Sequence, residues 1–302
     1  MVIGLLIGST CAAYHDFHQE QIAHLHFARR DHRPAQVIGG LTPQQYQQLA
    51  KLNYQSGANP IVQVNHGRST LNPKSWRTNK VIYQQLDSRR RTSGSNTAFL
   101  NWRNHADTSL RINQITQPTG WHDNRNGNLI YNRGHLLAYS LTGGINAHTG
   151  QYHTSAVGDQ DNPRNLFTET DFTNQMLQII YETRVRHTIE QGKHVVYQAT
   201  PIFRGSEQMA RGINLQAIST DGSLNFNVYL YNIEPGTKIN YQDGSSVSDP
   251  QMRVLVPVES LGETDDESQR SMDNGTLKIS GHYKRPFATA PRHYYRIWQN
   301  NK

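Results

Sequence analysis

Cysteine is nearly absent: Cys11 is the only one in 302 residues. That excludes a disulfide framework, a cysteine-based zinc site and a thiol nucleophile in the body of the chain. Long apolar runs are missing too. Nothing approaches the roughly 18 consecutive apolar residues that a membrane-spanning helix needs. Charge is sparse, with 18% Asp, Glu, Lys and Arg beside 35% hydrophobic residues, so neutral polar groups must cover much of the surface. No repeat period is present, which removes collagen, coiled coils and solenoids. The length allows one large domain or two small ones.

What charge there is has one sign and one place. The chain carries a net charge of +7. Between Ile61 and Ser140 eleven basic residues, among them Arg89, Arg90, Arg91, Arg111, Arg125 and Arg133, face three acids, a local balance of +8. A solvated basic face would look like this. So would an electrostatic track along a phosphate backbone, and Arg89, Arg90, Arg91 and Arg111 are its candidate contacts. Three adjacent arginines in a loop cannot all point the same way.

The chain reads as four segments. Val2 to Ala13 is an apolar run ending in small residues, like the core and cleavage site of an export signal, although no basic residue precedes it. A lipid-anchored reading through Cys11 fails on Thr10. Residues 14–60 form a His- and Gln-rich lead-in in which Thr42-Pro43 starts a short helix over 44–55. Residues 61–249 are the main domain, and 250–302 an extension. In that extension 259–273 is acidic, while 283–298 mixes basic and aromatic residues in the manner of a packed tail or of a platform for unpaired bases.

Within the main domain, short strands are expected at 61–65 and 97–101. Another, at 128–132, leads into Arg133-Gly134-His135. A Gly-, Asn- and His-rich loop follows over 143–162. The strongest helix is 171–190, with Phe172, Met176, Ile179 and Ile180 on an apolar face and Asn174, Gln178, Glu182 and Arg186 in a polar stripe. After Gly192 the period becomes two. Residues 224–231 alternate as a half-buried strand, with 195–203 and 213–219 as antiparallel partners. The pattern is α+β.

Fifteen histidines make any one of them ordinary. His135 stands out because Gly134 permits a tight backbone path and Arg133 lies two positions before it. A neutral imidazole is a suitable base near neutral pH, and a nearby guanidinium opposes its protonation. Asn174 offers a hard amide oxygen suited to Mg²⁺, and Glu182 follows two helical turns later, about 80° around the axis at 100° per residue. From spacing alone the plainer reading stands slightly ahead: Asn174 caps the helix, and Glu182 is a surface residue paired with Arg186.

The motif string tips the balance. Asn132-Arg133-Gly134-His135-Leu136-Leu137-Ala138-Tyr139, Gly143-Gly144, Asn162-Pro163, Asn165, Asn174-Gln175 and Tyr181-Glu182 occur in that order. Val196-Tyr197, Thr200-Pro201, Asp221-Gly222 and Phe226-Asn227-Val228 continue it. Together they resemble the DNA/RNA non-specific endonucleases, in particular streptococcal and lactobacillar secreted DNases and DNA-entry nucleases. The resemblance covers residues 117–243 in detail and extends upstream to about residue 61.

The resemblance implies a ββα-metal finger on a central antiparallel β-sheet. It implies His135 as general base, Asn174 as the direct protein ligand of Mg²⁺ (with Mn²⁺ as substitute), and Glu182 as an anchor in the water shell. Arg133 becomes the phosphate-stabilising cation and Asn165 a support near the site. The implied enzyme is a monomeric, secreted, sequence-nonspecific endonuclease for DNA, with RNA as a second substrate, leaving 5′-phosphate products. It would be cell-surface attached if the leader is retained. The competing expectation is a catalytically weak nucleic-acid-binding or DNA-uptake protein of the same fold. Two positions depart from the family's common pattern: Asn132 stands where Asp is more frequent, and Glu169 where Gln is frequent.

Overall fold

The longest alternating stretch in the sequence builds the centre of the molecule. Residues 37–106, 108–124 and 129–257 are described in a computed structural model, together with the backbone of 271–273 and 276–279. The leader and residues 14–36 of the lead-in lie outside the described residues, as do Arg125 and most of the acidic and basic-aromatic C-terminal stretches. The first elements are helix α1 (Pro43–Ala50) and strands β1 (Ile61–Gln63), β2 (Lys80–Ile82) and β3 (Asn96–Leu100). Strands β4 (Tyr131–His135) and β5 (Leu166–Thr170) precede helix α2 (Ile179–Glu190). Strands β6 (Val195–Ile202), β7 (Gly212–Ser219) and β8 (Asn225–Tyr231) come next. The short strands β9 (Thr237–Ile239), β10 (Ser246–Ser248), β11 (Val254–Pro257), β12 (Ser271–Asp273) and β13 (Thr276–Ile279) follow.

Six strands form one antiparallel sheet in the order β1-β8-β7-β6-β3-β2. The expected trio β6, β7 and β8 is its middle. The half-buried reading of β8 does not hold, because Asn227, Tyr229 and Tyr231 are buried along with Phe226, Val228 and Leu230. The second face is covered by the chain around Ile38, Leu71 and Trp76, which packs on Phe99, Val196 and Ile218. Amides satisfy one another there: Gln198 donates to Thr97, Gln216 to Gln198, and Asn214 to Asn227. Polar residues therefore alternate in the sequence without facing water.

On the other face the core includes Phe172, Met176, Leu177, Tyr181, Val185 and Ile189 from the helical segment, packed with Tyr197, Leu215 and Phe226. Ile179, expected on the apolar face, is only half-buried. Residues Thr173–Gln178 wind as a π-helix before the regular turns of α2 begin, and that wider winding moves the apolar face. Leu49, Ala50, Val254 and Val256 enter the same core. Helix α1 is shorter than expected; Thr42 and Gln45 close a capping box at its start.

Apart from the sheet, β4 and β5 make a two-stranded antiparallel hairpin, with Asn132 opposite Glu169 and His135 opposite Leu166. The strand expected at 128–132 thus lies three residues later, and Arg133-Gly134-His135 is part of it. β5, which has no clear sequence signature, completes the hairpin. Its outer edge is capped by the fully buried Asn232: Oδ1 accepts from Thr170 N at 2.7 Å, and Nδ2 donates to Thr168 O at 3.0 Å and Ala210 O at 2.9 Å. The side chain replaces a missing neighbouring strand. Asn232→Ala leaves three buried backbone groups without partners, at about 1–3 kcal/mol each. Chemical denaturation should show a loss of about 3 kcal/mol or more; a loss under about 1 kcal/mol would mean that the edge of β5 finds other partners.

Candidate active site

The strand-strand-helix unit brings His135, Glu169, Asn174 and Glu182 to one place by short polar links. Asn132 and Gly134 share a face of β4 with Glu169 across the ladder. Gly134 has to be glycine: a Cβ there would lie 2.7 Å from Glu169 Cβ and closer still to its carboxylate. Into that space the buried Glu169 folds its Oε2, which accepts from Asn174 Nδ2 at 2.8 Å. Asn132 Nδ2 donates to Asp171 Oδ1 at 2.8 Å and reaches Asn174 Oδ1 at 3.5 Å. Gln175 Nε2 also donates to that oxygen.

Gln178 ties the helix to the hairpin. Its Nε2 donates to the backbone carbonyl of His135 at 2.7 Å and to Glu182 Oε1 at 2.8 Å. The sequence places Gln178 in the polar stripe but gives no sign of this bridging role. An 80° separation of Asn174 and Glu182 presumes α-helical winding throughout, and the π-helical turn between them overturns it. The two residues reach one site through Glu169 and Gln178 instead.

His135 is held by Nε2, which lies 3.1 Å from the carbonyl oxygen of Gln160. A carbonyl only accepts, so this nitrogen carries the hydrogen and Nδ1 keeps its lone pair. Burial pushes the imidazole down to about 4, helped by the charge of Arg111 and opposed by the Gln160 carbonyl. The guanidinium that keeps His135 neutral is therefore that of Arg111. Arg133 has contacts of its own: its Nε donates to Thr116 O at 2.5 Å, and its guanidinium lies 4.2 Å from the centre of the Trp121 ring.

Asn165 is fully buried. Its side chain brackets the backbone of Leu137, accepting from N at 3.1 Å and donating to O at 3.0 Å. It fixes the path of the chain leaving His135. Of the arginine triplet, Arg89 and Arg90 are exposed. Arg91 is taken up by the protein itself, bridging to Asp87 at 2.8 Å and donating to the carbonyls of Gly205 and Glu207. That removes it from an outward phosphate track.

Burial raises the carboxyls of Glu169 and Glu182. The charge of Glu182 adds to the rise at Glu169, while Gln178, Arg186 and Arg111 oppose it at Glu182. Glu169 Oε1 and Gln178 Oε1 are buried without a hydrogen-bond partner. Together with Asn174 Oδ1 these are hard oxygen donors, the kind that suits Mg²⁺. Among the described residues no group of three or more His, Cys, Asp or Glu is arranged to hold a metal. A cation here would keep much of its water.

The geometry yields a test of the cradle. Gly134→Ala should cost about 1–3 kcal/mol through overpacking. Glu169→Ala in the same chain should recover part of that loss. Additive effects in a thermal-denaturation double-mutant cycle would show that the two residues do not share this space.

The chain is similar to known proteins. A DNA/RNA non-specific endonuclease family model matches residues 70–221. A deoxyribonuclease of Streptococcus dysgalactiae subsp. equisimilis is 32% identical over 81 residues, covering 27% of this chain and 24% of that protein, so the match spans about a quarter of that relative's length. The crystal structure of NucA from Streptococcus agalactiae with magnesium ion bound is 25% identical, covering 68% of this chain and 96% of that one, with a TM-score of 0.55. The same protein with no metal bound is 26% identical over 69% of this chain and 98% of that one, with a TM-score of 0.53. With a central antiparallel sheet and the ββα unit formed by β4, β5 and the helix that follows, this chain belongs to the DNA/RNA non-specific endonuclease family.

Proposed function

We propose that the protein is a secreted, sequence-nonspecific endonuclease that hydrolyses DNA phosphodiester bonds, with RNA as a second substrate and 5′-phosphate products. The observation that carries this reading is the neutral His135, locked through Nε2 onto Gln160 and tied by Gln178 to Glu182. Secretion rests on the apolar Val2–Ala13 run.

In this reading His135 Nδ1 takes a proton from water as the oxygen attacks phosphorus in line, and the 3′ oxygen departs on the opposite side and takes a proton from solvent. Arg111, whose charge acts on both His135 and Glu182, would meet the phosphate and offset the charge that builds on it. Asn174 Oδ1 would hold a divalent cation, proposed as Mg²⁺ with Mn²⁺ as substitute, and Glu182 would hold waters of its shell. Bound there, the cation supplies neutralisation of phosphate charge. Asn165 positions and does not react. Arg89 and Arg90 remain candidates for touching phosphate, where replacing either one should flatten the log-affinity versus log-salt slope by about 0.9 on duplex DNA.

Three measurements test this. Plasmid digestion by the wild type should stop in EDTA, and His135→Ala should lower turnover at least about 10²-fold with DNA binding retained. Persisting cleavage in that variant would remove His135 from the mechanism. A wild type that binds DNA but never cuts it would favour the binding-protein alternative.

The metal assignment is tested by titration. Asn174→Ala should raise the Mg²⁺ concentration needed for half-maximal activity by about 10–100-fold, and Glu182→Ala by less. Unchanged titrations in both variants would refute the assignment of this helix face.

The low pKa of His135 also has a stability signature. The folded state leaves this imidazole neutral down to about pH 4, whereas the unfolded chain takes up its proton near 6.5. Stability should therefore fall as pH drops from 6.5 to 4, with no contribution from this group above that window. In urea denaturation across that range His135→Gln should lose less stability than the wild type; parallel curves would contradict the low pKa.

A further inference from the structure

Residues 110–116 run past the site as a strap fastened by its backbone. Ile112 N donates to Gln160 Oε1 at 2.6 Å, and Ile115 N and Thr116 N donate to the two carboxylate oxygens of Asp161 at 3.2 and 3.1 Å. Thr116 O accepts from Arg133 Nε, and Gln114 Nε2 donates to Arg133 O. The strap is thus registered to the loop residue, Gln160, whose carbonyl holds His135, and to the strand that carries His135.

Its side chains do the opposite of what aliphatic groups ordinarily do. Leu110 is 48% exposed, Ile112 63% and Ile115 81%. Single exposed aliphatics are unremarkable, but three within six residues beside a reaction centre mark a contact surface. Arg111, between them, stands close enough to influence His135 and Glu182. A phosphate bound by Arg111 and His135 would carry its neighbouring sugars and bases close to the strap, which is tied to the residue holding His135.

Resting on the nuclease reading above, we propose that Leu110, Ile112 and Ile115 form an apolar wedge that enters the minor groove of a duplex and loosens a base step beside the phosphate to be cut. Aliphatic side chains suit this task, because protein wedges between base steps are apolar groups such as Leu and Ile. Platforms for single strands stack bases on aromatic faces, and the strap offers none. The wedge carries no base-specific hydrogen bond, so it adds affinity for duplex without sequence preference.

The test is Ile112→Ser with Ile115→Ser in the full chain, assayed on a short duplex and on its single strand. Removing two exposed apolar side chains should raise KM on duplex about tenfold, with kcat and the single-strand KM little changed. In EDTA, a duplex carrying 2-aminopurine should brighten on binding the wild type and stay quenched with the double variant. Unchanged duplex KM and an unchanged 2-aminopurine response would overturn the wedge. So would an equal rise in KM on duplex and single strand, which would indicate that the strap touches unpaired nucleotides. A wild type that cuts neither substrate refutes the nuclease reading itself, and circular dichroism of the double variant separates these results from misfolding.

Discussion

A two-stranded hairpin is at best marginally stable in isolation, and this protein hangs His135, the proposed general base, on one. The rest of the site depends on how β4 and β5 are held. Buried amide side chains do it in place of further strands: Asn232 completes the outer edge of β5, and Asn165 grips the chain just beyond His135. Thr170 donates to the carbonyl of Ile233 and Thr173 to that of Tyr231, and Glu234 accepts from Phe172 N at the start of the helical segment. Each bond satisfies a buried polar group that would otherwise oppose folding. The hairpin is therefore fixed by polar satisfaction as well as by burial of Tyr131, Leu166 and Phe167.

That construction sets the electrostatics. Drawing Glu169, Glu182 and Glu234 out of water raises all three carboxyls, Glu234 to about 8. The same burial drives His135 down. Desolvation acts against whichever form is charged, so it holds an imidazole neutral and ready to accept a proton while leaving carboxyls that a nearby cation would ionise. Arg111 supplies positive charge from the strap side. Arg133 shares a face of β4 with His135, and its guanidinium lies over Trp121 while Nε donates to Thr116 O.

Much of the architecture is legible in local pattern. The period-two run around 224–231 and its partners specify an antiparallel sheet, since alternation and turn residues are local properties. The ordered motif from Asn132 to Glu182 identifies the family and marks its candidate residues. Thr42-Pro43 announces α1 through its capping chemistry alone.

Other features were decided only in three dimensions. β5 carries no signature because its pairing is supplied by β4 and its outer edge by an amide 62 residues downstream. The π-helical turn moved Ile179 off the apolar face and replaced a simple helical stripe by the Glu169–Asn174 and Gln178–Glu182 links. Arg91 was drawn inward by Asp87 and by two carbonyls more than 100 residues away. Which guanidinium faces His135 was likewise settled by the strap docking on Gln160 and Asp161, a contact between segments more than 40 residues apart. Local pattern fixes which residues are polar or apolar and how strands alternate. Which buried polar group meets which partner depends on long-range closure, and no single stretch of sequence encodes that.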